Sequence, residues 1–173
     1  MPLFGACTGD SEDGDPQPVV VPDPIGPEIY HVTPACIGQG CNETYLYRSG
    51  DEVQLLVFST PYYEKPEAEF LDEQRGRLRP ATSAALDQAL AAIDPSLTET
   101  VNPEGLCGSS HAPYVVLSFE GGQLSYRWRC PPAGAAEADE WLVRIRRDLD
   151  YCGAPNPLPY LLEAETPADC PEP

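Results

Sequence analysis

The sequence predicts an α+β domain built of two ββα units. Together they would form a four-stranded antiparallel sheet with two helices on one face, stapled by disulfides. Three features carry this expectation. Gly121-Gly122 separates two alternating apolar runs, two stretches place apolar residues at helical spacing, and six cysteines are spread across the region from Cys36 to Cys170.

The chain has 173 residues, enough for one core. Residues 1–27 read as a tether. Pro16, Pro18, Pro22, Pro24 and Pro27 lie among acids and glycines, a composition that has little to bury. Residues 28–153 hold the domain. In its first unit, strands Thr44–Arg48 and Glu52–Ser59 flank Ser49-Gly50-Asp51, with Tyr45 and Tyr47 opposite Leu55 and Val53. A polar stretch with Pro61, Tyr62, Tyr63 and Pro66 follows. Ala81–Ile93 is then a helix with Leu86, Ala89, Leu90 and Ile93 inward, ended by Asp94-Pro95.

The second unit is the clearer one. Tyr114–Glu120 and Gln123–Cys130 flank the two glycines as a hairpin. A two-residue turn sets Phe119 against Leu124, Leu117 against Tyr126 and Val115 against Trp128, all on one face. Ala136–Asp150 is the second helix. Ala138, Trp141, Leu142, Ile145 and Leu149 form its apolar stripe, and Glu140 precedes Arg144 by four residues. Acids crowd its first turn and arginines its later turns, as the helix dipole favours. Residues 154–173, again rich in proline, read as a non-regular strap pinned by Cys170.

Formal charge is −18, from 28 acidic and 10 basic residues. This balance repels phosphate backbones, so nucleic acid is disfavoured as a partner. Seven cysteines need an account. Six of them, Cys36, Cys41, Cys107, Cys130, Cys152 and Cys170, suggest bridges formed in an oxidising compartment. Pairing neighbours (Cys36–Cys41, Cys107–Cys130, Cys152–Cys170) asks least of the chain, although six cysteines allow fifteen pairings. Cys7 is the odd one. Phe4-Gly5-Ala6-Cys7 resembles the lipobox of bacterial lipoproteins, which makes Cys7 the candidate lipidation site and membrane attachment the role of the tether. The alternative is a free thiol on a disordered arm.

Few residues point to catalysis. His31-x4-Cys36-x4-Cys41 offers zinc-compatible donors, but structural zinc favours tighter pairs and a fourth ligand, so a disulfide is preferred and no metal is expected. Ser109-Ser110-His111 lacks the glycine pattern of a nucleophile elbow and sits in a loop. Asp10-Ser-Glu-Asp-Gly-Asp15 lacks the alternating ligands of a calcium loop, and Asn42-Glu-Thr44 is a short glycosylation match. No cofactor is implied. Tyr62 and Tyr63, with the local basic group Arg75, Arg77 and Arg79, form the candidate binding surface, although the arginines also have many carboxylates to pair with.

Cys36-Ile-Gly38-Gln-Gly40-Cys41-Asn-Glu-Thr-Tyr45, followed by Gly50-Asp51 and Glu52-Val53, resembles a bacterial exported domain of unknown function. That family shows Cys-x-Gly-x-Cys-Pro-x-Tyr, a strand, a turn glycine, a second strand and a helix. The likeness covers mainly residues 30–95. Here one more residue separates the cysteines, and Asn42 stands where the family has proline. The resemblance implies export, a lipid anchor and disulfides, and it implies no catalytic residue. The expected function is a non-enzymatic binding or interaction module in the bacterial cell envelope, engaging a protein or small ligand. The alternatives are a proteinaceous inhibitor of an exported protease, presenting the Pro61–Pro66 loop, and a hydrolase using His111 with Ser110.

Overall fold

The computed structural model describes residues 20–33, 41–59, 68–97, 113–149 and 160–164. Its elements run β1 (Glu28–Thr33), β2 (Asn42–Ser49), β3 (Glu52–Ser59), β4 (Phe70–Leu78), α1 (Pro80–Ala91), β5 (Tyr114–Phe119), β6 (Gly122–Arg127), α2 (Ala136–Leu149) and β7 (Leu161–Ala164). The strands form one antiparallel sheet in the order β6-β5-β1-β2-β3-β4-β7.

This corrects the expected architecture. The sheet has seven strands, where four were predicted, and it is not two ββα units set side by side. β1 lies in the middle, paired with β5 on one side and β2 on the other. It therefore welds the two hairpins into one ladder. β4 escapes the sequence reading because six of its nine residues are polar, charged or glycine, which hides the strand period. β7 falls in the segment predicted to be non-regular. It pairs with the end of β4 and buries Leu161 completely.

The expected disulfide staple is likewise not seen as a pair among the described residues, which are joined by the ladders and the core. Cys41 and Cys130 are each disulfide-bonded, but no complete bridge lies within the described residues. Cys7, Cys36, Cys107, Cys152 and Cys170 fall outside them.

Both hairpins differ from expectation in register. In β5–β6, Leu117 faces Leu124 and Val115 faces Tyr126, because the loop is Glu120-Gly121 and Gly122 already belongs to the strand. Of the two glycines only Gly121 has a positive φ, 114°. The shift is by two positions, so Val115, Leu117, Leu124 and Tyr126 keep the core face. In β2–β3 the shift is by one. Tyr45 faces Leu56 and Tyr47 faces Gln54, around a Gly50-Asp51 turn with Gly50 at φ 61°. A one-residue shift exchanges the faces of a strand. It sends Leu46 into the core and Tyr45 and Tyr47 to the opposite side.

One face of the sheet carries Tyr30, Val32, Leu46, Val53, Leu55, Val57, Val115, Leu117, Leu124 and Tyr126. These pack with Leu86, Ala89 and Ile93 from α1 and its C-terminal end, and with Ala138, Leu142, Ile145 and Leu149 from α2. Proline at its first turn starts α1. Its first turns are tied to the β2–β3 turn: Arg48 donates to Asp87 (2.7 Å) and to Ser83 (2.8 Å), whose hydroxyl donates to Asp51 (2.6 Å). α2 begins with Glu137 and Asp139 and ends with Arg146 and Arg147, and Arg144 pairs with Glu140. It is fastened to the sheet by a buried polar hub. The phenol hydroxyls of Tyr30 in β1 and Tyr126 in β6 both donate to Asp139 Oδ1, at 2.7 and 2.6 Å. Asp148, near the other end of α2, accepts the Tyr160 N–H at 3.2 Å, which helps seat β7. Burial pushes the Asp148 carboxyl upward. No helix among the described residues is long and apolar enough to cross a membrane.

Candidate functional site

Among the described residues both helices pack on the core face, and register decides what the other face displays. One rung across the middle strands carries Val116, His31, Tyr45, Leu56 and Glu73. A neighbouring rung carries Tyr47, Gln54 and Arg75, and Phe58 and Phe70 face each other beyond it on the other side. Leu56 is only 2 % exposed, yet it stands outside the main core cluster. It floors a second, smaller apolar layer.

Rings wall that layer. His31 stacks on Tyr45 with centroids 4.1 Å apart, and Tyr47 lies parallel to Tyr45 at 6.5 Å. Phe58 meets Tyr45 edge-on at 5.5 Å, and Phe70 meets Phe58 at 5.7 Å. All five rings are partly exposed. A continuous aromatic stripe thus crosses strands β1 to β4, with polar tips on three of its five members. Aromatic residues with one wet edge are a composition enriched at recognition surfaces.

His31 is held tightly. Its Nε2 lies 2.6 Å from Glu43 Oε1 and 3.1 Å from the Thr33 hydroxyl, which itself donates to the same Glu43 oxygen at 3.2 Å. A carboxylate can only accept, so Nε2 carries a hydrogen. This arrangement differs from a catalytic relay. In a relay the carboxylate and the nucleophile engage opposite ring nitrogens, so that one orients the base while the other gives up its proton. Here carboxylate and hydroxyl share one nitrogen, and the hydroxyl already points its hydrogen at Glu43. The cluster orients the ring and does not activate the threonine.

The stripe is electronegative. Burial raises the Tyr45 phenol pKa, and Glu43 and Glu28 raise it further; burial and Glu28 do the same to Tyr47. Arg75 shares the rung of Tyr47, Arg77 stands beyond it, and both have carboxylate partners. Arg75 contacts Glu73 at 2.7 Å, and Arg77 approaches Glu52 at 3.8 Å.

A piece of the chain before β1 already lies at one end of the stripe. The Gln54 side chain donates to the Asp23 carbonyl (3.3 Å) and accepts the Ile25 N–H (3.0 Å). The segment then closes against β2, where Pro27 O accepts Arg48 N–H at 3.2 Å. Gly26 sits so close that a Cβ there would collide with the Arg48 carbonyl oxygen. Residues predicted to be tether are therefore, from about Asp23 on, part of the folded surface.

Of the residues singled out from sequence, Arg75 and Arg77 lie on this face, and Arg79 holds the position just before α1 without a side-chain cap. Arg75 and Arg77 pair with local acids, the plainer of the two expectations. Tyr62, Tyr63, Ser110, His111, Cys7 and the Asp10–Asp15 acids lie outside the described residues. Among the described residues no group of three or more His, Cys, Asp or Glu side chains is placed to hold a metal ion. Tyr45, Tyr47, Phe58, Phe70, Glu43 and Gln54 are site residues that the sequence reading does not reach. The available signal is the β2 sequence itself, in which Glu43, Tyr45 and Tyr47 alternate with Thr44 and Leu46.

Comparison with known proteins adds no family. No protein-family model matches the chain, and neither a curated protein nor a solved structure gives a significant match.

Proposed function

We propose that this protein is a non-enzymatic binding module that takes its ligand on the helix-free face of the sheet. The observation that carries this reading is the aromatic stripe from His31 through Tyr45 to Phe70, partly exposed and floored by Leu56. A sheet face with no ligand to meet gains nothing from displaying five rings to water, because apolar area left in solvent contributes no burial energy. The His31 cluster supports the non-enzymatic part, since its carboxylate and hydroxyl crowd a single ring nitrogen. Export and a lipid on Cys7 belong to the same proposal, supported by the Phe4–Cys7 motif and the acidic tether after it.

A nuclear magnetic resonance titration tests the reading. The isotope-labelled protein is mixed in turn with basic, acidic and neutral octapeptides and with a neutral hexasaccharide. The proposal expects amide shift changes at His31, Tyr45, Tyr47, Phe58 and Phe70 for at least one probe. Changes gathered on α1 and α2, or none with any probe, would contradict it.

A further inference from the structure

We infer that the ligand of this face is an extended, basic stretch of a partner polypeptide, lying beside residues 23–25 with lysine or arginine side chains over Tyr45 and Tyr47. The inference rests on the binding reading above and adds the chemistry of the partner.

Two independent features point to it. The first is how the face handles main chain. Gln54 accepts from Ile25 N–H, and its amide nitrogen donates both to the Asp23 carbonyl two residues earlier and to Glu73 Oε1. The amide thus meets main-chain donor and acceptor groups of residues 23–25, so this edge of the face already accommodates main chain. Gln54 is fully buried. Directly alongside it on the ladder stand Tyr47 and Arg75, and the next rung holds Tyr45 and Glu73. A second strand of polypeptide laid parallel to residues 23–25 would cross those rings.

The second feature is charge. Glu28 stands opposite Tyr47, and Glu43 stands at the His31 end of the stripe. The charges that act on the two phenols, Glu43 and Glu28, are both negative. Arg75 and Arg77 are matched by Glu73 and Glu52. Ring π-clouds add a further preference for cations, and guanidinium groups also stack on aromatic surfaces. An acidic segment would meet the field of Glu28 and Glu43 together with a chain of formal charge −18. A basic one is drawn toward it, and the attraction raises the rate of encounter as well as the affinity.

The test is binding of a fluorescein-labelled octapeptide of alternating arginine and alanine at physiological ionic strength, read by fluorescence anisotropy. A peptide with glutamate in place of arginine and a neutral peptide of glutamine and alanine serve as comparisons. Four variants are compared with the parent: Tyr45→Ala, Tyr45→Phe, Glu43→Gln and Glu137→Gln. Glu137 lies in the first turn of α2, away from the stripe, and carries the same charge change as the Glu43 variant. Thermal unfolding of each variant confirms that it is folded. The expected result is binding of the basic peptide alone. Tyr45→Ala and Glu43→Gln weaken it by about tenfold or more, as central anchors do. Tyr45→Phe keeps most of the affinity, and Glu137→Gln changes it by less than about twofold, as an exposed, remote charge should. Equal loss in Glu137→Gln and Glu43→Gln would mean that net charge alone attracts the peptide, and would overturn the inference. So would preference for the neutral or acidic peptide. Should one of those two bind in place of the basic one and lose affinity in Tyr45→Ala, the binding face stands and only its basic partner is lost. If no probe responds to Tyr45→Ala, both readings fall together.

Discussion

Replacing Asp139 by alanine is expected to cost about 3–5 kcal/mol of folding stability, the largest effect of any single polar substitution in this fold. One carboxylate oxygen accepts from two phenol hydroxyls, Tyr30 in β1 and Tyr126 in β6, and all three side chains are buried. Removing the acceptor strands two donors in the core. Each unsatisfied buried donor costs about 1–3 kcal/mol, whereas a hydrogen bond retained is worth only about half that. The converse substitution should be milder. In Tyr126→Phe the carboxylate keeps Tyr30 and the favourable field of the α2 N-terminus, so about 1–2 kcal/mol is expected. Denaturant unfolding with an unchanged slope measures both, and Glu137→Ala, exposed on the same turn, should stay within about 0.5 kcal/mol of the parent. An Asp139→Ala protein as stable as the Glu137→Ala protein would show that the hub does not bind α2 to the sheet.

The same hub should make the protein fail in alkali. Burial pushes the Tyr30 phenol far above its ordinary value, and the Asp139 charge pushes it further. Tyr126 is raised by burial, by Tyr30 and by Asp139. The folded values exceed the unfolded ones, so the stabilisation is complete below about pH 10, where an unfolded tyrosine titrates. Above it the unfolded chain releases protons that the folded chain retains, and stability falls as pH rises. Each phenol contributes about 1.4 kcal/mol per pH unit, so Tyr30 and Tyr126 together remove about 4 kcal/mol by about pH 11.5. That is a large share of the roughly 5–15 kcal/mol typical of a domain. Tyrosinate absorbance from these two residues should appear only as the fold is lost, and the double variant Tyr30→Phe/Tyr126→Phe should flatten the alkaline dependence. Early, reversible ionisation of either phenol in the folded protein would contradict the buried hub.

Much of the core-facing half of the molecule is legible in the sequence. The stripes of α1 and α2 predict both helices to within a few residues at their ends, because apolar residues such as Leu86, Ala89 and Leu90, or Leu142, Ile145 and Leu149, share one face only at a helical period. The β5–β6 face survives a two-residue error because a shift of two preserves parity. In β2–β3 a shift of one does not, and that single difference conceals the candidate site. The expected pairing of Tyr45 and Tyr47 with Leu55 and Val53 would bury both rings. The observed pairing with Leu56 and Gln54 exposes them. Turn length decides between the two, and Ser49-Gly50-Asp51 is compatible with loops of two or three residues. β1 is hidden by the prolines before it, and β4 by its charges. Asp139 carries a readable signal of its own. It falls within the apolar stripe of α2 beside Ala138 and Leu142, where a carboxylate needs donors.

The account turns on the claim that the helix-free face is where this protein meets its ligand. Hydroxyl-radical footprinting, with and without the alternating arginine–alanine octapeptide, tests that claim directly. The predicted result is protection of Tyr45, Tyr47, Phe58 and Phe70 on addition of the peptide, with Trp141 and Tyr160 on the helical side unchanged. Protection at Trp141 and Tyr160, with the four open-face rings as reactive as before, would contradict it.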